Sequence, residues 1–522
     1  MKQIFPIKAS SKLMYVASLL LFLLVIFTPP VYILSYAFKT QFILNEASKT
    51  ALFNSLCIGF TVTLVDLVFG MPVAWVLARR KNLRFRYLID TLVDMPLVVP
   101  TSVLGLSVYF FWNGSLGSLL GVQDGLLGKG PLLIILLHVV FTFPYIVRSI
   151  EAAIFQIEKS HEEAATMLGA SPFTVFRTIS LPLFKAGLIS GAILVFTRSL
   201  SETGATMMVA GLTSTAPTIV VDYKNAGDIA SAASISIVLI GIAVVLLIIT
   251  KLLSKSFRIP FTRVWPSEER TLSRKCVASR DVLVALFVAV IILIPTFYIA
   301  LSQLGVVTPK TFSSMLADGT ILEAILISFL VGFIVTIVNL LLAIPVAKMI
   351  SRDMFKLGGI LDTMNDIILL VPTSALGLSL SLFWKNFHFS EFLILVLAHM
   401  SFSFPLMMKP ISAALTGVDK NLEEAARTLG ARPWKVFKTV TYPLIKPAIV
   451  AGVIMTFMRS LSETGATMSV SDKIKTIPVL LVDLFTSETI SDKAILASIL
   501  LFAISFIFII VLKTVTHKNA KR

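Results

Sequence analysis

Charge is scarce in this sequence. Only 14% of its 522 residues are Asp, Glu, Lys or Arg, where a soluble globular protein carries roughly 25%. The shortage runs the whole length, while 56% of residues are hydrophobic and the mean hydropathy is +0.91. An ordinary soluble enzyme and a disordered chain are both excluded. Cysteine is almost missing: Cys57 and Cys276 can build neither a disulfide framework nor a metal site. A phosphate-binding GxxxxGK[ST] loop is absent too. The nearest string, Gly125 to Gly130 around Lys129, has the wrong spacing and no hydroxyl. Paired carboxylates, a nucleophile constellation and a metal-ligand cluster are likewise lacking. No catalytic or metal-binding residue is assigned, and a membrane enzyme finds no support.

What is present is a succession of long apolar runs. A bilayer core of about 30 Å needs roughly 20 apolar residues per helix. Such runs begin near Leu13, Leu52, Thr91, Leu132, Lys185 and Ser231, and again near Val282, Ile321, Leu361, Phe392, Lys446 and Ala494. The expectation is an all-α integral membrane protein of about twelve transmembrane helices, with no room for a soluble domain. The first run follows Lys2, Lys8 and Lys12 as in a signal peptide, but it is too long and lacks a small-residue cleavage site, so it reads as a retained helix. With the N-terminus inside, 34 of the 45 basic residues fall in inner loops and tails. That bias predicts both termini in the cytoplasm. The net charge of +16 is therefore mostly a matter of topology, and no nucleic-acid partner is inferred from it.

The chain is also written twice. His138 to Pro144 recurs as His399 to Pro405, and Ser199 to Met207 recurs without change as Ser460 to Met468, both 261 residues later. Val99 to Ser102 recurs as Val371 to Ser374, 272 later, and the difference of 11 lies in a Gly-rich external loop between Trp112 and His138. Residues 1–256 form one repeat of six spans and 281–522 the other, joined by a polar linker at 257–280. Repeats of six spans are parallel, and a pathway on their pseudo-two-fold axis is the natural inference.

Between the fourth and fifth spans of each repeat lies a loop, 158–182 and 419–443. The first carries Glu163, Ala164, Ala165, Gly169, Ile179 and Pro182; the second carries Glu424, Ala425, Ala426, Gly430, Val440 and Pro443. The acid and alanines start a short helix with a surface that allows close approach. The glycine turns the chain. A second short helix follows from Pro172 or Pro433, and Pro182 or Pro443 is expected to break the chain before it re-enters the membrane. These segments resemble the EAA motif of ATP-binding-cassette importer permeases: Glu-Ala-Ala, three residues, Gly, nine residues, Ile-x-Leu-Pro. The first copy fits throughout; the second departs mildly at Val440 and Tyr442. The resemblance implies a type I ABC importer permease fold in a prokaryotic cytoplasmic membrane. It implies as partners two copies of an ATPase subunit, which carry the ATP and Mg, and an extracytoplasmic solute-binding protein. This chain itself is expected to bind no cofactor and to be a transport subunit, not an enzyme. The loops would insert into grooves of the ATPase, with Met167, Leu168, Phe173, Leu429 and Trp434 as apolar anchors.

Two further stretches are pathway or gate candidates. Thr101 and Ser102, with Thr373 and Ser374, follow Pro100 and Pro372 in the third and ninth spans. They either line a polar cavity at a backbone break or bond their own backbone in a Pro-kinked helix. Arg198 and Glu202, with Arg459 and Glu463, stand four apart on one helix face near the outer leaflet. They serve either as a gate or as a packing salt bridge. His138 and His399 read as core histidines bonding across helices, or as a proton relay. Asp66 has only Asn339 at the matching position.

Together, Pro96-x-x-x-Pro100-Thr101-x-x-x-Gly105 and Arg198-x-x-x-Glu202-x-Gly204-Ala205-Thr206 are similar to the molybdate/tungstate and sulfate permease branch, although Ser201 and Thr203 depart from its pattern. A small inorganic oxyanion would then be the solute. One chain holding both halves looks more like the iron(III) and thiamine importers, which keeps those solutes open. A twelve-helix secondary transporter is the alternative of another class.

Overall fold

The computed structural model describes residues 9–37, 42–79, 86–115, 127–256, 266–352, 356–487 and 491–520. Lys2, Lys8, most of the basic loop after Arg79, the Gly117, Gly121 and Gly125 part of the external loop, and linker residues 257–265 lie outside these. Among the described residues there are helices and no strands. Ten helices are long and apolar enough to cross a membrane, from Leu13–Tyr36 to Asp492–Val511. Side chains such as Phe53, Phe60 and Leu341, each about two-thirds exposed on these helices, are compatible with lipid and not with water.

The third and ninth spans differ from the kinked helices allowed above. Leu88–Val98 meets Thr101–Gly114 at 107°, and Gly358–Leu370 meets Thr373–Lys385 at 109°; counting each pair as one span gives twelve. The cause is local. A residue before proline is pushed out of the α region, and Val371 is extended at φ −68°, ψ 131°. Pro100 and Pro372 follow with ψ near 135°, so two successive extended residues turn the chain through a corner. Nor do the hydroxyls of Ser102 and Ser374 bond their own backbone: both are fully buried and have no hydrogen-bond partner.

Prolines 182 and 443 are a second correction. They do not break the chain, because the preceding turns, Phe176–Ser180 and Phe437–Thr441, widen into π-helix. The wide turn reroutes the carbonyls that a proline cannot serve. The fifth and eleventh spans therefore run unbroken from Pro172 to Ser201 and from Pro433 to Leu461. The expected second short helix is simply the first turns of the span.

The first span of each repeat packs on the other repeat. Ser379 donates to the Pro29 carbonyl, and Ser401 donates to the Ile26 carbonyl at 3.1 Å. In the mirror position, Ser107 donates to the Pro295 carbonyl at 2.5 Å and accepts the Ile299 amide at 2.9 Å. One hydroxyl thus bonds both the Pro295 carbonyl and the Ile299 amide of the seventh span, Arg280–Val306. Residues 266–280, read as linker, are helical and continue into that span.

The broken spans pack on short helices near the axis at glycines. A Cβ on Gly377 would stand 2.7 Å from both the Cα and the carbonyl oxygen of Ala466, whereas on Gly105 it would meet the Met208 sulfur at 3.1 Å. Backbone cannot yield as a methionine can. Gly377→Ala should therefore cost about 1–3 kcal/mol and lower the melting temperature of the detergent-solubilised protein, while Gly105→Ala should lower it much less.

Candidate functional site

The two loops fold alike. Lys159–Met167 and Lys420–Thr428 are the short helices expected from the acid–alanine runs. Each ends in a Schellman turn. Gly169 donates to Thr166 and Ala170 to Ala165; Gly430 donates to Arg427 and Ala431 to Ala426. The turn needs φ of +87° at Gly169 and +82° at Gly430, a region that side-chain-bearing residues avoid. Beyond each helix the chain presents bare apolar groups: Met167 and Leu168 are 90% exposed, Leu429 88% and Trp434 72%. Phe173 is different, being half-buried.

Glu163 and Glu424 project outward, as do Ala164 and Ala425. The acids that hold the loops are their neighbours. Glu162 pairs with Arg79 at 2.7 Å and accepts from Ser180 at 2.9 Å. Glu423 pairs with Arg352 at 3.5 Å and accepts from Thr441 at 2.8 Å. Burial alone would raise the Glu423 carboxyl, but the Thr441 hydrogen bond and the Lys348, Arg352 and Arg427 cations outweigh it and hold it below the usual glutamate range.

At the far end of the fifth and eleventh spans the repeats touch. Glu202 ends the fifth span and its carboxylate does two things. Oε2 pairs with Arg198 at 2.8 Å, and Oε1 faces the Ala205 amide at 3.4 Å. Glu463 repeats this with Arg459 at 2.7 Å and the Ala466 amide at 2.9 Å. Each guanidinium also lies over a ring, Phe141 or Phe402, an arrangement that favours the cation. The pair therefore shapes the turn into the short helices Gly204–Val209 and Gly465–Val470. That turn carries Thr203–Gly204 against Thr464–Gly465. A Cβ on Gly204 would fall 2.3 Å from the Thr464 hydroxyl, and one on Gly465 would fall 2.6 Å from that of Thr203. Thr373 also donates to Glu463, which joins the corner of the ninth span to this seam.

His138 bonds Ser199 at 2.8 Å through Nδ1 and Thr206 at 2.9 Å through Nε2. His399 bonds Ser460 and Thr467 at the same distances. Both ring nitrogens are used up in stapling the fourth or tenth span to the turn, which is the core reading. Asp66 accepts from Thr142 at 2.6 Å, while Asn339 donates to Ser403 at 3.0 Å. The two repeats thus solve one second-to-fourth-span contact with different chemistry.

A cavity of about 560 Å³ straddles the pseudo-two-fold axis, since its walls include the repeat-related pairs Leu194 with Met455 and Tyr145 with Leu406. Arg459 and Ser462 line it, as do Asp94 and Arg148. Arg148 is held by Asp90, Asp94 and Glu151 at 2.5–2.6 Å. Its repeat mate Lys409 is held by Asp362 and Asp366 at 2.6–2.7 Å. These cations fasten the first arm of each broken span to the fourth or tenth span.

The sequence pattern of the binding-protein-dependent transport system inner membrane component matches residues 70–259 and again 339–518. The chain belongs to that family. It is a permease with two copies of the family domain and the type I ABC permease fold. Permeases of this family are components of ABC importers that work with ATPase and binding-protein partners. Among similar proteins is the molybdate/tungstate transport system permease of Methanocaldococcus jannaschii, 31% identical over 227 residues, which is 43% of this chain and 90% of that one. The molybdenum transport system permease of Haemophilus influenzae is 35% identical over 212 residues, 38% of this chain and 91% of its own. The sulfate transport system permease of Salmonella typhimurium is 32% identical over 211 residues, 40% of this chain and 75% of its own. Each relative covers about one repeat of this permease.

Sequence reasoning missed Thr203, Gly204, Thr464 and Gly465 as the contact across the axis, and Arg148 and Lys409 as fasteners. The signal for the first set was an unchanged nine-residue repeat; for the second, a cation and two acids recurring at matching offsets. For the loops, Glu423→Gln should remove charge-assisted bonds worth about 1.5–3 kcal/mol and speed amide exchange in Lys420–Thr428, whereas Glu424→Gln should leave exchange unchanged. Acid should act as Glu423→Gln does. The folded-state pKa lies below the unfolded value of about 4.3, so the stabilisation is complete above that value and is lost as pH falls through the folded-state pKa.

Proposed function

We propose that this permease forms the translocation pathway of an ATP-driven importer, and that loops 158–182 and 419–443 couple the pathway to two copies of an ATPase subunit. One observation carries the reading: a helix, a left-handed glycine turn and exposed apolar side chains occur twice, at matching places on one chain. Exposed anchors of this size beside small residues are what a docking partner needs. Closure of the ATPase pair on ATP would draw the loops together and rock the repeats. The Thr203–Gly204 and Thr464–Gly465 seam would then part as the outer gate, with each Arg–Glu pair holding the turn that forms it and the Ser102 and Ser374 corners beside it. The charge bias of the loops supports an orientation with both termini in the cytoplasm of a prokaryote and an extracytoplasmic binding protein at the opposite face.

For the solute, a small inorganic oxyanion such as molybdate, tungstate or sulfate is the reading that the functions of the relatives support. Fusion of both repeats in one chain is what favours iron(III) or thiamine instead. Binding by the partner solute-binding protein decides between them: nanomolar-to-micromolar binding of an oxyanion is expected, and tight iron or thiamine binding rejects it.

Coupling is tested at the glycines. Gly169→Val and Gly430→Val force a β-branched residue into the left-handed region, at roughly 1–2 kcal/mol each. Nothing lies within 4 Å of either added Cβ, so the lesion stays in the turn. In proteoliposomes holding the whole complex, substrate-stimulated ATP hydrolysis should fall at least about tenfold with membrane insertion intact. Unchanged stimulation removes the coupling role.

A further inference from the structure

We infer that the helix joining the two halves is a tether on the first coupling loop, with Glu269 as its positioning residue, so that the two loops are mechanically unequal. The inference rests on the coupling reading above. Pro266–Phe287 runs into the seventh span, which belongs to the second half. Its first turns lie on the stretch that follows Gly169. Glu269 is 2% exposed and receives the Thr174 hydroxyl and, at 2.6 Å, the Arg177 guanidinium. One turn on, the Ser273 hydroxyl accepts the Phe173 amide at 3.1 Å and stands 3.3 Å from the Ser171 hydroxyl. Trp75, Phe173 and Phe176 line a cleft beside Ser273. Three consecutive polar positions of the loop, Ser171, Thr174 and Arg177, are thus gripped by one face of one helix.

The second loop is not built to be gripped this way. At the positions 261 later stand Arg432, Lys435 and Lys438. All three are exposed, whereas Ser171, Thr174 and Arg177 are half-buried. Two hydroxyls that fit a carboxylate and a serine have become cations. The sequence preceding the first span, which corresponds to the tether by its place in the repeat, contains no acid in residues 1–13. Glu269 therefore has no charge equivalent there. Farther along the same helix, Ser107 of the first half is wedged into the Pro295–Ile299 rung. Any shift of the seventh span against the first half is felt at both ends: at a broken span near the axis and at a coupling loop. A displacement at the first loop is transmitted to the second half through a rigid element that grips it by hydrogen bonds. Among the described residues the second loop has no such grip, although Tyr15 of the first span stands near its Glu423 and Arg427.

The test is uptake per ATP hydrolysed by the complete complex, permease with both ATPase subunits and binding protein, in proteoliposomes. Glu269→Gln and Arg177→Gln should lower that ratio about 3- to 10-fold, the size seen for changes along a coupling network. The charge-reversed pair, Glu269→Arg with Arg177→Glu, should recover at least half of the loss, because arginine at 269 can still donate to Thr174. Lys438→Gln, the matching change in the second loop, should leave the ratio unchanged. An unaltered ratio in Glu269→Gln overturns the tether. So does a proportional fall of uptake and hydrolysis that the reversed pair fails to recover, which would mark Glu269 as needed for folding alone. An equal fall in Lys438→Gln overturns the inequality of the loops. If Gly169→Val and Gly430→Val also leave stimulated hydrolysis intact, it is the coupling reading that has failed.

Discussion

How closely the two repeats approach is set by two hydrogens, the missing side chains of Gly204 and Gly465. A methyl at either would collide with a threonine of the other repeat, so the seam exists only while both positions are glycine. Everything behind the seam serves that approach. The turn that presents each Thr–Gly is drawn in by a glutamate facing the next helix's amide, the glutamate is paired with an arginine, the arginine lies over a phenylalanine, and a histidine staples the turn to the neighbouring span. In a bilayer core such groups find no water, so each must be satisfied within the protein. Removing one partner of a buried pair strands the other at about 3–5 kcal/mol. The polar network is therefore rigid within a repeat. Between repeats, Thr203 meets Gly465 by contact, its hydroxyl without a hydrogen-bond partner, while Lys224 of the first repeat donates to the Met468 carbonyl at 3.1 Å and pairs with Asp472 of the second. The Thr–Gly contact itself can part without stranding a donor, whereas the Lys224 bonds to Met468 and Asp472 would have to break or move with it.

The repeats are equal in plan and unequal in detail. Arg148 gathers three carboxylates where Lys409 gathers two. Asp66 meets Thr142 where Asn339 meets Ser403. Two separate copies of one subunit could not hold such differences, because every residue would occupy both positions. A single chain assigns each position one residue, and the helix at 266–287 can then belong to both halves at once.

Much of this is legible in the sequence, and the division follows physical range. Spans are local composition, so their starts near Leu132 or Phe392 fall within a residue of the helices at Pro131 and Glu391. The repeat is an offset count. The left-handed turns at Gly169 and Gly430 follow from short-range pattern. What stayed hidden depends on one or two torsions or on distant partners. A kink and a 107° corner differ in ψ at two residues. Pro182 looks like a breaker until a π turn absorbs it. In the acidic pairs Glu162–Glu163 and Glu423–Glu424 the motif position is not the anchor, because Arg79 and Arg352 arrive from another helix and choose the neighbour. The approach of Thr203 to Gly465 crosses 262 positions, counted along the sequence, and no local pattern encodes it.

The same charges bear on what a permease should do to its solute. Arg459 faces the axial cavity, yet its charge is already met by Glu463, and that of Arg148 by three carboxylates. An oxyanion there would find donors without net positive charge. It would be tolerated rather than held. Passage demands that compromise, since a site that binds tightly also releases slowly. Selection among anions then belongs to the binding protein, and the permease needs only to be wide enough, wet enough and closed at the right time. On that view the acids around Arg148 and Lys409 are not misplaced in an anion pathway. They fasten the broken spans, and, were the solute an oxyanion as proposed, they would also keep it from settling beside Arg148.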